Sequence, residues 1–82
     1  MTIGDTDLGA AHGFVKWYSE TKGFGFVTVD DGREVFFHYT GVVKDNLEQI
    51  REGAEVTCRL WKQGGEVVKG NGLKASSIRV LA

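Results

Sequence analysis

Two short runs constrain this chain more than any other feature. Lys22-Gly23-Phe24-Gly25-Phe26-Val27 and Val35-Phe36-Phe37-His38-Tyr39 stand on either side of Asp30-Asp31-Gly32. Each run changes character every second residue, the period of a strand, and each is rich in aromatic and β-branched side chains. Asp-Gly supplies the positive φ that a tight hairpin turn needs. The pattern predicts an antiparallel hairpin with Phe24 and Phe26 on one face of its first strand and Phe36 and His38 on the matching face of its second. Gly25, Val27 and Val29 then share the opposite face with Val35 and Phe37, which suits a core. The reverse orientation would leave Val27 and Val29 in water.

The rest of the chain keeps this rhythm. Gly13 to Ser19 reads as a first strand, followed by a turn at Glu20-Thr21-Lys22-Gly23. Phe24 to Val29 and Glu34 to Tyr39 are the second and third strands. Thr40 to Gly53 holds Val42, Val43, Leu47 and Ile50 among charges, and the spacing of Leu47 and Ile50 predicts one helical or 3₁₀ turn around Asp45–Arg51. Glu55 to Trp61 alternates again, with Val56, Cys58 and Leu60 on one face and Thr57, Arg59 and Trp61 on the other. A turn is expected at Gln63-Gly64-Gly65. Val67 and Val68 precede a break at Gly70-Asn71-Gly72, and a last strand runs from Ala75 to Leu81 with Ile78 and Val80 inward. These elements predict an all-β fold, a five-stranded antiparallel barrel with a short helical turn after the third strand. Closure removes the exposed edges of a small sheet. Residues 1–11 are small and polar without usable period and read as a flexible leader; 12–82 read as one domain, since 82 residues hold one core.

Charge and composition narrow the function. The net charge is −1, whereas a protein that grips duplex nucleic acid by bulk charge is strongly basic. Four rings on one face of a hairpin suit the stacking of bases, and single strands leave their bases open for it. Lys16 and Lys22 flank the rings within reach of phosphates. Cys58 is the one cysteine and only two histidines accompany it, so neither a disulfide nor a metal set is expected, and no cofactor. The cysteine usage, the lack of a basic n-region and the lack of an apolar run of membrane-spanning length point to a cytoplasmic protein without a membrane partner. No nucleophile–base pattern accompanies His38, so an enzyme is not expected.

Three blocks in fixed order carry a resemblance. Gly13-Phe14-Val15-Lys16-Trp17-Tyr18, then Lys22-Gly23-Phe24-Gly25-Phe26-Val27, then Val35-Phe36-Phe37-His38 resemble the first strand and the two RNP motifs of the cold-shock domain family. The resemblance runs from about Gly13 to the C-terminus and is strongest as far as Val42. It implies an OB-fold barrel that binds single-stranded RNA or DNA, pyrimidine-rich by preference, as an RNA chaperone or a regulator of transcription or translation. It also implies a binding face at Lys16, Trp17, Lys22, Phe24, Phe26, Phe36, His38 and Tyr39. For Trp17 the resemblance alone speaks: with Val15 inward, simple alternation turns Trp17 inward too, whereas the family's bent first strand turns it outward. The RNA-recognition-motif fold also carries RNP motifs, but it needs two full helices and the reverse order of the two strands. Departures from the family pattern are Tyr18 for a phenylalanine, Leu47 where relatives often carry a stacking ring, and Gly70-Asn71 for Gly-Pro. Trp61 is unusual and is expected to pack locally. The alternative reading is a protein-interaction or oligomerisation module using the same aromatic surface.

Overall fold

The structure, a computed structural model, describes residues 5–64 and 72–81. Five strands, β1 (Thr6–Ser19), β2 (Phe24–Val29), β3 (Glu34–His38), β4 (Glu55–Lys62) and β5 (Leu73–Val80), close into a barrel in the order β1-β2-β3-β5-β4. The first half of β1 pairs with β4 and the second half with β2. Closure comes with one departure from the expected all-antiparallel barrel: β3 and β5 run parallel, Phe36 beside Lys74 and Phe37 beside Ala75. An odd number of strands cannot alternate direction around a closed ring, so one parallel seam is unavoidable.

β1 begins at Thr6, not at the expected Gly13. Residues 6–11, expected to belong to a leader, are paired with β4 from Thr6 opposite Lys62 onward. The sequence hides this because neither face of Thr6–Ala10 reaches the core, so no apolar period develops. Backbone ladders and polar side chains hold the segment instead. Arg59 Nη2 and Nε donate to Asp7 Oδ2 at 2.6 and 2.8 Å, and the Gly9 amide donates to Asp7 Oδ1 at 2.8 Å. The Arg59 hydrogen bond, helped by that of Gly9, lowers the pKa of Asp7.

The hairpin strands fall where expected, except that β3 stops at His38 and Tyr39 opens a 3₁₀ turn at Tyr39–Gly41. The helical turn after it is 3₁₀ and spans Lys44–Gln49. These turns bring Val42 and Ile50 over the barrel, where both are buried; the Val43 amide donates to the Ile78 carbonyl at 2.9 Å. β5 starts at Leu73, two residues before the expected Ala75. Val67, Val68 and the Gly70-Asn71 pair lie outside the described residues. In β5 the inward positions run Leu73, Ala75 and then Ile78. Ser77 causes the change of phase: its φ of 51° is left-handed, and the pairing with β4 shifts register there.

The inner faces of the strands meet around Phe37, Ile78, Val15, Val27, Val35 and Val56, the largest of the fully buried side chains. Tyr18 stacks on Phe37 with ring centroids 5.7 Å apart. Cys58 is in this core, and burial pushes its thiol up to about 11, too high for a nucleophile at neutral pH.

Candidate functional site

The outward face of β1, β2 and β3 is organised in rungs. Register places Trp17, Phe26 and Phe36 on one rung, Ser19, Phe24 and His38 on the next, and Phe14, Thr28 and Glu34 on the rung to the other side. The rings form a connected layer. Trp17 lies 5.5 Å from both Phe24 and Phe26, and Phe36 lies 5.7 Å from Phe24 and 5.9 Å from Phe26, centroid to centroid. All of the contacts are tilted or edge-on, which is favourable between quadrupoles.

Trp17 faces outward because β1 is irregular. Val15 pairs with Val27 and Trp17 with Phe26, so Lys16 is an extra residue on β1. Such a bulge resets which residues face the core. Val15 is 2% exposed and Trp17 36%. The bend that the resemblance implied is thus present, and its local cause is Lys16.

Gly25 lets the rings approach. A Cβ there would overlap the Trp17 carbonyl oxygen, and would stand 2.9 Å from Tyr18 Cα and 3.0 Å from the Phe37 ring. Absence of a side chain thus allows β1 and β2 to close up and set Trp17 against Phe24 and Phe26.

His38 and Tyr39 extend the ring layer around a corner, 4.5 Å apart. The Tyr39 amide donates to the Gly23 carbonyl at 2.8 Å, and the Tyr39 ring fills the space beside Gly23, whose φ is 76°. Tyr39 is 45% exposed and lines a groove of about 480 Å³ with Tyr18, Lys22 and Leu47 among others. The Thr40 amide donates to His38 Nδ1 at 3.3 Å. An amide can only donate, so Nδ1 accepts, and in the neutral ring the proton sits on Nε2.

The two flanking lysines differ. Lys22 is exposed on the turn beside Tyr39. Lys16 Nζ is 2.8 Å from Glu34 Oε2, with both side chains about half exposed. An exposed pair of this kind is worth roughly 0–1 kcal/mol, so it opens at little cost. The sequence reading picked out Lys16 but not its carboxylate partner, which only the β1–β2–β3 register brings near. All eight expected site residues therefore lie along one connected surface, with Tyr39 and Lys22 at its groove end. Trp61 Nε1 donates to Ser76 Oγ at 2.7 Å, a local contact of the kind expected of it, and register sets it across Lys74 from Phe36. Phe14 was not among the site candidates, although Val15 inward requires Phe14 outward. It is 47% exposed.

Beyond Phe14 the surface turns polar. His12 Nδ1 is 2.9 Å from Asp30 and Nε2 is 2.5 Å from Glu55. The hydrogen bond to Asp30, then that to Glu55, raises the pKa of His12. Both ring nitrogens face carboxylates, an arrangement that the imidazolium satisfies with two donors.

With this geometry in view, the 'Cold-shock' DNA-binding domain model matches residues 11–80. The chain belongs to the cold-shock domain family. This is a family of nucleic-acid-binding domains. The chain is 40% identical to cold shock protein CspD of Bacillus subtilis over 68 residues, 82% of this chain and 92% of that protein. It is 39% identical to a cold shock-like protein CspA of Stigmatella aurantiaca over 73 residues, covering 87% and 97% of the two chains. Cold shock protein CspB of Geobacillus stearothermophilus is 37% identical over 59 residues, 72% and 79% of the two. The cold-shock match begins at Ala11, so the Thr6–Ala10 part of β1 precedes it. Among the described residues no helix is long and apolar enough to cross a membrane.

Proposed function

We propose that this cold-shock domain binds single-stranded RNA or DNA by stacking bases on Trp17, Phe24, Phe26, Phe36, His38 and Tyr39, and that it serves as an RNA chaperone or a regulator of transcription or translation. The observation that carries this reading is the layering of rings on consecutive rungs. Residues two apart on a strand are about 7 Å apart. Bases stacked on each other rise ~3.4 Å per nucleotide. A strand whose bases each lie on a rung is therefore stretched about twofold relative to its stacked form, given those two spacings. Bases held this way cannot pair, so binding competes with self-pairing and melts RNA structure passively, without ATP.

The energetics are sufficient. Each base–ring stack is worth roughly 1–3 kcal/mol by alanine substitution. Lys22, and Lys16 once released from Glu34, meet phosphates. Two phosphate contacts on a single strand give a salt slope of only about −1.4 in log K against log salt, in keeping with the net charge of −1. The Nε2–H of His38 suits an acceptor on a base edge, and the preference for pyrimidine-rich strands is what the family resemblance implies. Binding alone is the proposed activity, with no chemical step. The buried reduced thiol of Cys58 fits a cytoplasmic setting.

Alanine at Phe24 or Phe36 tests the reading. Each substitution is expected to weaken oligo-dT or oligo-U binding by about fivefold or more, from the loss of one stack, with circular dichroism unchanged. Full affinity in a folded variant would show that the rings are not the platform.

A further inference from the structure

This inference rests on the single-strand platform proposed above and extends it. Phe14 is on the same outward face as the platform, one rung beyond Trp17–Phe26–Phe36. It is 47% exposed, more so than Trp17 at 36%. Its ring partner among the described residues is His12, edge-on at 5.6 Å and 80°. That contact orients the ring from the side away from the platform. Register puts Phe14 next to Thr28, which pairs with Glu34, and Lys16, between Phe14 and Trp17 on β1, reaches Glu34 of this rung at 2.8 Å. A large ring in water, one strand step of about 7 Å from a layer of stacked rings, with a lysine between, repeats the composition of the platform itself.

We propose that Phe14 is the terminal stacking ring of this platform and holds one further nucleobase of the same single strand. Continuity of the face fixes the occupant. The backbone of a strand passing from Trp17 to Phe14 runs beside Lys16, whose exposed pair with Glu34 opens to a phosphate. The surface beyond Phe14 then ends the site. A concavity of about 580 Å³ there is bordered by Glu48, Glu52 and Glu55 against the single cation Arg51 among its lining residues. His12 is already engaged by Asp30 and Glu55. This rim repels phosphates, so Phe14 sets the length of the bound segment at this end.

The test is an oligo-dT series lengthened one nucleotide at a time, titrated against the wild type, Phe14→Ala, Phe14→Trp and Phe36→Ala. Thermal unfolding of each variant runs alongside. The wild type is expected to gain about tenfold in affinity on the nucleotide that reaches Phe14, the effect of one stack. Phe14→Ala should lack that step, and Phe14→Trp should keep it. If the alanine variant does not fold, Phe14→Leu, apolar without a ring, makes the same comparison. Phe36→Ala weakened with the Phe14→Ala series superimposed on the wild type would overturn this inference and leave the platform standing. Both variants superimposed on the wild type would remove the platform too. A Phe14→Ala variant that loses self-association in sedimentation but keeps every step of the dT series would assign the ring to a protein contact and equally overturn the inference.

Discussion

Replacing Gly25 by alanine sets two expectations of opposite sign against each other. Glycine inside a strand is less stable than alanine by roughly 0.5–1 kcal/mol, so propensity alone predicts a gain. The structure predicts a loss. The added Cβ would overlap the Trp17 carbonyl oxygen and stand 2.9 Å from Tyr18 Cα and 3.0 Å from the Phe37 ring. Two of these three neighbours are backbone of β1 and cannot rotate away, and the third is the fully buried Phe37. Relief requires β1 to move off β2, a strain of about 1–3 kcal/mol or more for an overpacked site. Contact with backbone that cannot yield puts the strain in the upper part of that range, about 2–3 kcal/mol, and subtracting a propensity gain of about 1 kcal/mol leaves a net loss of about 1–2 kcal/mol. A domain of this size has a total stability of roughly 4–12 kcal/mol, so the variant still folds. Thermal unfolding should show Tm lowered by about 4–16 °C, at ~4–8 °C per kcal/mol for a chain of this length. Because the same movement draws Trp17 away from Phe26, oligo-dT affinity should fall as well. An unchanged or raised Tm would refute the close approach of the two strands and, with it, the account of why the rings meet.

Three other perturbations have signed outcomes. Ser77→Gly should raise stability by about 0.5–1 kcal/mol, since Ser77 holds a φ of 51° and left-handed backbone costs an L-residue roughly 1–2 kcal/mol; a loss in urea unfolding would contradict the strain assigned to it. His12 has its pKa raised from the ordinary 6.5 by Asp30 and Glu55, so its stabilisation is complete below pH 6.5 and is lost as pH rises through the raised value. His12→Gln should accordingly be less stable than the wild type in mild acid and converge on it in alkali, and a constant gap across that range in pH-dependent melts would contradict the ion pairs. Leu47→Phe adds a ring to the groove lined by Tyr18, Lys22 and Tyr39 and should tighten oligo-dT binding by about fivefold, roughly 1 kcal/mol for a stack; unchanged affinity in a fluorescence titration would place that groove off the path of the strand.

Period-two patterning made most of the barrel legible. β2 and β4 and the inward set Val27, Val29, Val35, Phe37, Val56, Cys58 and Leu60 follow directly from alternation and turn residues. Alternation failed where the backbone is irregular. Lys16 and Ser77 each shift a strand's phase, and no side chain near them announces it. The start of β1 was invisible for a different reason: a strand segment with neither face in the core leaves no apolar period to read. The parallel seam between β3 and β5 is a property of ring closure and of strand number, which no local stretch encodes. At the site, the ring faces of Phe24, Phe26, Phe36 and His38 were readable from each strand alone. The outward turn of Trp17 and the Lys16–Glu34 pair needed the register of β1, β2 and β3 together.

The central claim is that single-stranded bases lie on the Trp17 layer. Its most direct test is the fluorescence of Trp17 in a Trp61→Phe background, which removes the second indole, as oligo-dT is titrated in at low and moderate salt. The account predicts saturable quenching that weakens by about fivefold or more in Phe36→Ala and shifts little with salt. Unquenched Trp17 at saturating oligo-dT, or quenching that Phe36→Ala leaves unaltered, would contradict it.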